Sequence, residues 1–97
     1  MMPYITITTW EVGDGTDYDA SMRNVRDKRL PALKDLGATR VTVVRTSDRT
    51  SAAITEWPDE VTRDTAEAAI EAVRVKVHTE DLVRLTGEMR GEVVAEV

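Results

Sequence analysis

Two runs without a single charge, Val41-Thr42-Val43-Val44 and Ala52-Ala53-Ile54-Thr55, lie within Thr39–Glu56 on either side of the polar link Thr46-Ser47-Asp48-Arg49-Thr50. β-Branched side chains suit a pleated surface, and a hydrophilic connector of this length turns one strand back on the next, so the stretch is predicted to be a β-hairpin. Tyr4–Trp10 and Val93–Ala95 are also uncharged, in a chain where charged residues make up 32%. Strands that avoid charge in so charged a chain imply a sheet withheld from water on both faces.

A chain of 97 residues can build one core but not two, so residues 1–97 are expected to form one domain. The hydrophobic fraction of 41% argues for a folded chain, and no apolar run approaches the roughly 20 residues needed to cross a bilayer. The start, Met1-Met2-Pro3-Tyr4, has neither a basic segment nor an apolar one of the kind a secretion signal needs. Cysteine is absent, which excludes disulfides and thiolate chemistry, and a cytoplasmic location is expected. Net charge is −5, with 13 basic residues scattered among 18 acidic ones, so neither nucleic acid nor a membrane surface is an expected partner.

In chain order, Tyr4–Val12 alternates as a strand, with Ile5 and Ile7 on one side and Tyr4, Thr6, Thr8 and Trp10 on the other. Gly13-Asp14-Gly15 breaks it, and Asp17 is placed to cap a helix whose apolar face carries Tyr18, Met22, Val25, Leu33 and Leu36. Pro31 removes a donor from that helix, which should bend or restart near Leu30, and Gly37 suits its left-handed end. After the hairpin, Pro58 and the acidic residues beside it stop the strand. A second helix follows with Ala66, Ala69, Ile70, Val73 and Val77 on its buried stripe. The pattern resets near His78-Thr79 into a predicted short helix carrying Leu82, Leu85 and Met89, and Glu92–Val97 reads as a closing strand.

Strand, helix, strand, strand, helix, strand with right-handed crossovers gives an α+β fold, the ferredoxin-like plait, a four-stranded antiparallel sheet with helices on one face. Ile5, Ile7, Val41, Val43 and Ile54 are expected beneath the helices. The open face is then expected to carry Tyr4, Thr6, Thr8, Trp10, Thr42, Val44, Ala53, Thr55, Trp57 and Val94, too apolar for water. A second copy of the same face is the simplest cover, which predicts a homodimer through the sheets, burying on the order of 1,600 Å² or more.

The element order, the exit Leu36-Gly37-Ala38 into Thr39-Arg40-Val41, and Glu56-Trp57 followed by an acidic, alanine-rich helix resemble the dimeric α/β-barrel superfamily. That group includes antibiotic-biosynthesis-monooxygenase-like proteins, haem-degrading monooxygenases and muconolactone isomerases. The resemblance implies a dimeric α/β barrel and a small aromatic ligand between sheet and helices. Haem-degrading members use a helix histidine, a first-strand asparagine and a tryptophan. Here the first strand offers Thr6 and Thr8 instead, so no haem or other cofactor is expected. Cofactor-independent members act on phenols or quinols with polar groups around an apolar cavity, for which Asn24, Arg29, Trp57 and His78 are the nearest candidates.

The residues themselves leave two accounts open at each candidate. His78, the lone histidine, is either a partly exposed junction residue or a catalytic group, a possible axial metal ligand as the resemblance to haem-degrading members implies. Arg29 falls in the middle of an apolar stripe. Either its stem covers apolar surface while its head reaches water, or it binds an anion in a pocket. Trp10 and Trp57, at strand ends, either flank a flat aromatic ligand or stabilise an interface. Asp14, Asp17 and Asp19 lack the glycine and distal glutamate of a calcium loop, and one histidine without cysteine leaves no metal constellation. The functional expectation is a small dimeric protein binding an apolar or aromatic molecule. A cofactor-independent monooxygenase or isomerase of cyclic substrates and a non-catalytic assembly module are the alternatives. A cleft of a few hundred Å³ beside Trp57 separates them.

Overall fold

The computed structural model describes residues 3–97, so Met1 and Met2, the first half of the start Met1-Met2-Pro3-Tyr4 that lacks a secretion signal's pattern, lie outside the described residues. Strand β1 (Tyr4–Val12) runs through the middle of a four-stranded antiparallel sheet, flanked by β3 (Thr50–Trp57) and β4 (Val83–Glu92), with β2 (Arg40–Arg45) beyond β3. The spatial order β2-β3-β1-β4 is that of the ferredoxin-like plait. The hairpin turns at the link read from the sequence, where Thr46 N–H donates to the Thr50 carbonyl over 3.0 Å.

Helix α1 (Tyr18–Asn24) starts at Asp17, whose carboxylate accepts from the backbone of Asp19 and Ala20. A π-helical turn, Val25–Arg29, then widens the coil so that Leu30 N–H reaches the Val25 carbonyl. Helix α2 (Leu30–Asp35) restarts immediately before Pro31, which has no N–H to give and is accommodated in the first turn. The bend expected at Pro31 is thus realised as an inserted wide turn. α2 ends in a Schellman arrangement, Ala38 N–H to Leu33 and Gly37 N–H to Lys34, with Gly37 at φ 115°.

Under the helices lie two apolar clusters. Tyr4, Trp57, Ala38, Ala66 and Ile70 form one; Val12, Tyr18, Val77 and Val83 form the other, with Trp10, Met22 and Val73 packed against it. The helix-covered face is therefore the Tyr4, Thr6, Thr8, Trp10 side of β1, the reverse of the expectation. Thr6, Thr8, Ser51, Thr55 and Trp57 are buried, whereas Ile5, Ile7 and Ile54 remain half-exposed on the open face. Val41 and Val43 do point under the helices as expected. Alternation separates the two faces of a strand but does not say which is covered, and here both are poor in charge.

The last third of the chain also departs from expectation. The second helix is two pieces, α3 (Glu60–Thr65) and α4 (Glu67–Glu80), and α4 continues through His78 without a reset. Leu82, Leu85 and Met89 are not helical: Leu82 occupies a turn at φ 56°, and Leu85 and Met89 belong to β4. The closing strand comes earlier than predicted, and 93–97 have no regular structure, leaving Val94 exposed in a tail rather than on the sheet. A β-bulge explains the misreading. The register against β1 slips between Thr9 and Trp10, where Gly87 opposes Thr9 but Leu85 opposes Trp10. The extra residue breaks the period-two alternation that marks a strand, and Leu85 opposite Trp10 and Met89 opposite Ile7 lie on different faces although their spacing of four is helical.

Gly37 carries a specific load. Its φ lies outside the range open to alanine, and an added Cβ would stand 2.9 Å from Cγ2 of Thr62. Gly37→Ala is expected to lower stability by about 1–3 kcal/mol, read as a drop in the urea midpoint without a change in slope.

Candidate functional site

A cavity lies between the covered sheet face and the helices. Its floor is hydroxylated: Thr6 and Thr8 on β1, Ser51 and Thr55 on β3. Both indoles border it. The Trp57 N–H donates to Oγ1 of Thr6 over 3.4 Å and the Trp10 N–H to Oγ1 of Thr8 over 2.7 Å. Each threonine so engaged keeps its own proton free to donate. The opposite wall is aliphatic, from Met22, Val25, Leu30 and Leu33 on one side and Ile70, Val73 and Val77 on the other. The free space is about 80 Å³. An outer groove of about 530 Å³ shares Met22, Val25, Leu30 and Val43 with the cavity, so these four side chains stand between the inner space and solvent. The space beside Trp57 thus falls short of the few hundred Å³ expected there; the groove reaches that scale but is not lined by Trp57.

Arg29 lines this cavity but is neither a free anion contact nor a snorkelling surface residue. It is buried, its Nε donating to Asp81 over 3.0 Å and its Nη2 to Glu80 over 2.6 Å. The Asp81 hydrogen bond, opposed by burial and aided by Glu80, holds the guanidinium above its ordinary pKa. Asp81 is itself only 1% exposed, and its backbone carbonyl accepts from the Ser21 hydroxyl over 2.8 Å. The pair thus ties the wide turn after α1 to the end of α4.

Trp10, Arg29 and Trp57 are brought to one cavity, and His78 is not. His78 is exposed near the end of α4 and is absent from the cavity wall, as is Asn24. The residue missed in the sequence is Arg63, 1% exposed and part of the wall. A signal was available: Arg63 precedes Ala66, Ile70, Val73 and Val77 at spacings of three, four, three and four, one turn back along the same stripe. Its Nη1 is held by Glu67, whose carboxyl the hydrogen bond from Arg63 lowers below the usual range. Arg74, also in the wall, is bound by Glu71 and Glu88. Among the described residues no cluster of histidine, aspartate and glutamate could hold a metal ion, and no helix is long and apolar enough to cross a membrane.

No protein-family profile matches this sequence, and no curated protein is significantly similar to it. Solved structures are similar in shape. HapK from Hahella chejuensis superposes with a TM-score of 0.75 at 18% identity, covering 97% of this chain and 95% of that one. The fold is ferredoxin-like. A dimeric ferredoxin-like protein from an uncultured marine organism gives 0.70 at 12% identity, over 98% and 97% of the two chains. SnoaB, a cofactor-independent oxygenase from Streptomyces nogalater, gives 0.70 at 17% identity, over 100% and 96%. At these identities the likeness establishes the ferredoxin-like architecture, in keeping with the resemblance drawn from the sequence.

The Arg29–Asp81 pair is expected to be worth more as a unit than in parts. Asp81→Leu leaves the buried guanidinium only the exposed Glu80 and should cost about 3–5 kcal/mol, whereas adding Arg29→Met should recover much of that loss in a double-mutant cycle by chemical denaturation.

Proposed function

We propose that this protein binds a small apolar or aromatic molecule in the cavity between sheet and helices, and that it works as a homodimer closed through the open faces of two sheets. The observation that carries the ligand reading is the cavity wall itself. Two indoles and a row of aliphatic side chains surround a hydroxylated floor, on which the Thr6 and Thr8 hydroxyls are oriented by the indole N–H groups. A core built for stability alone gains nothing from lining a space with hydroxylated residues. An apolar cavity of about 150 Å³ is enough to admit a benzene ring. This cavity holds about 80 Å³, so a ring enters only when Met22 or Leu30 swings toward the groove, a motion that an unbranched methionine makes at little cost.

The dimer reading is supported by the open face. Across the sheet the register sets Ile7 between Ile54 and Met89, with Ile5, Ala52, Thr42 and Val44 around them. Met89 is 66% and Val44 45% exposed. A patch of this kind is larger than a monomer keeps in water, and two-fold symmetry lets it cover itself. The dimeric ferredoxin-like protein of similar shape supports the same assembly. Wild-type protein is expected to sediment as a dimer at micromolar concentration, and Ile7→Lys with Ile54→Lys to sediment as a folded monomer. A wild-type monomer refutes the assembly.

A second reading follows the likeness to SnoaB: cofactor-independent oxygenation, or isomerisation, of a cyclic phenol or quinol in the same cavity. Oxygen uptake with a panel of quinols tests it. Turnover that falls at least about tenfold in Trp57→Ala selects the enzyme, and Trp57-dependent binding without turnover selects the binding protein. His78→Ala is expected to change neither.

A further inference from the structure

Three arginines, Arg29, Arg63 and Arg74, line the cavity, and no carboxylate does. Their acidic partners lie outside the cavity lining: Asp81 and Glu80 for Arg29, Glu67 for Arg63, and Glu71 and Glu88 for Arg74. The outer groove adds Arg23, Arg26 and Arg45 against the single acid Asp19. Six guanidinium groups along one path stand out in a chain of net charge −5. At the mouth they are exposed. Arg26 is bound to Asp27 at 2.8 Å, and Arg45 lies over the Tyr18 ring, 4.1 Å from its centroid.

Arg63 differs from the rest. Its Nη2 is buried and has no hydrogen-bond partner among the described residues. Glu88 stands 3.9 Å from it, close enough for an ion pair but too far to accept a hydrogen bond. A guanidinium N–H withdrawn from water without an acceptor is unfavourable, and an acceptor brought in by a ligand removes that deficit.

We propose that the ligand of this cavity is an organic anion, a ring or short apolar body bearing a carboxylate or phenolate oxygen. It is drawn in past Arg23, Arg26 and Arg45 and sets its charged oxygen against Nη2 of Arg63. The proposal rests on the reading of the cavity as a ligand site and adds the chemical class of the ligand. Exposed cations at the mouth raise the encounter rate of an anion and give it a salt dependence. Inside, a charge-assisted bond to a desolvated guanidinium outweighs the neutral bonds the threonines offer. The indoles and aliphatic wall receive the body of the molecule.

Titration of the wild-type protein with paired probes tests this. 4-Fluorobenzoate, followed by fluorine NMR, is compared with uncharged 4-fluorobenzamide, and 4-nitrophenolate, followed by its absorption, with nitrobenzene. At least one charged probe is expected to bind about tenfold or more tightly than its uncharged counterpart, and which one does so identifies the oxygen as carboxylate or phenolate. Arg63→Met should erase the preference while uncharged probes still bind. Arg23→Gln with Arg26→Gln, both at exposed positions, should slow association and flatten its salt dependence; this variant and the wild-type comparison carry the test if Arg63→Met does not fold. Equal binding of charged and uncharged probes overturns the anion and leaves the ligand cavity standing. Failure of every probe to bind overturns both.

Discussion

Two guanidinium groups, Arg29 and Arg63, are carried on the buried stripes of their helices, and the space above the sheet is shaped by the need to neutralise them away from water. Removing a cation from solvent costs several kcal/mol unless a carboxylate meets it with good geometry. Asp81 does so for Arg29 from the C-terminal end of α4, and Glu67 for Arg63 from the first turn of the same helix. The two acids sit at opposite ends of α4, Glu67 in its first turn and Asp81 directly after its last residue, so one helix anchors a cation from the wide turn after α1 and another from α3. The helices are pinned by these charges at two points along the sheet, and between the points lies the cavity.

The sheet beneath explains why such an arrangement is tolerated. Its covered face is not a close-packed aliphatic layer but a set of threonine and serine hydroxyls with two tryptophans and a tyrosine. Hydroxyls buried without partners would be destabilising, and those of Thr6 and Thr8 are matched by indole N–H groups, while Ser51 shares a hydrogen bond with Tyr18. Isoleucines 5, 7 and 54, which would make the better core, instead face outward together. The arrangement leaves a polar-floored cavity on one side of the sheet and an apolar plane on the other.

The β-bulge in β4 links these two features. By adding a residue opposite the Thr9–Trp10 step, it turns Leu85 and Val83 inward at one end of the strand while Glu88 and Arg90 face inward at the other. Val83 thereby completes the apolar cluster around Val12, and Glu88 and Arg90 reach the ion-pair network of Arg63, Glu67 and Arg74. A strand of strict alternation could not serve both ends.

Read alone, the sequence determined what local chemistry determines. The bounds of β1, the hairpin and its polar link, the cap at Asp17, the break at Pro31 and the left-handed Gly37 were all legible, because each depends on residues within a turn or two of one another. From these the ferredoxin-like order followed. The tertiary structure alone decided which face of β1 was covered, since period-two alternation is symmetric between the faces and only the helices break the tie. It also decided β4, whose bulge arises from pairing with β1 and destroys the alternation that would have marked it as a strand. Arg29 was visible as an anomaly on its stripe, but its partner Asp81 lies 52 positions away, and no local pattern joins them. Ion pairs, cavities and covered faces depend on contacts between distant segments, and those exist only once the chain has closed on itself.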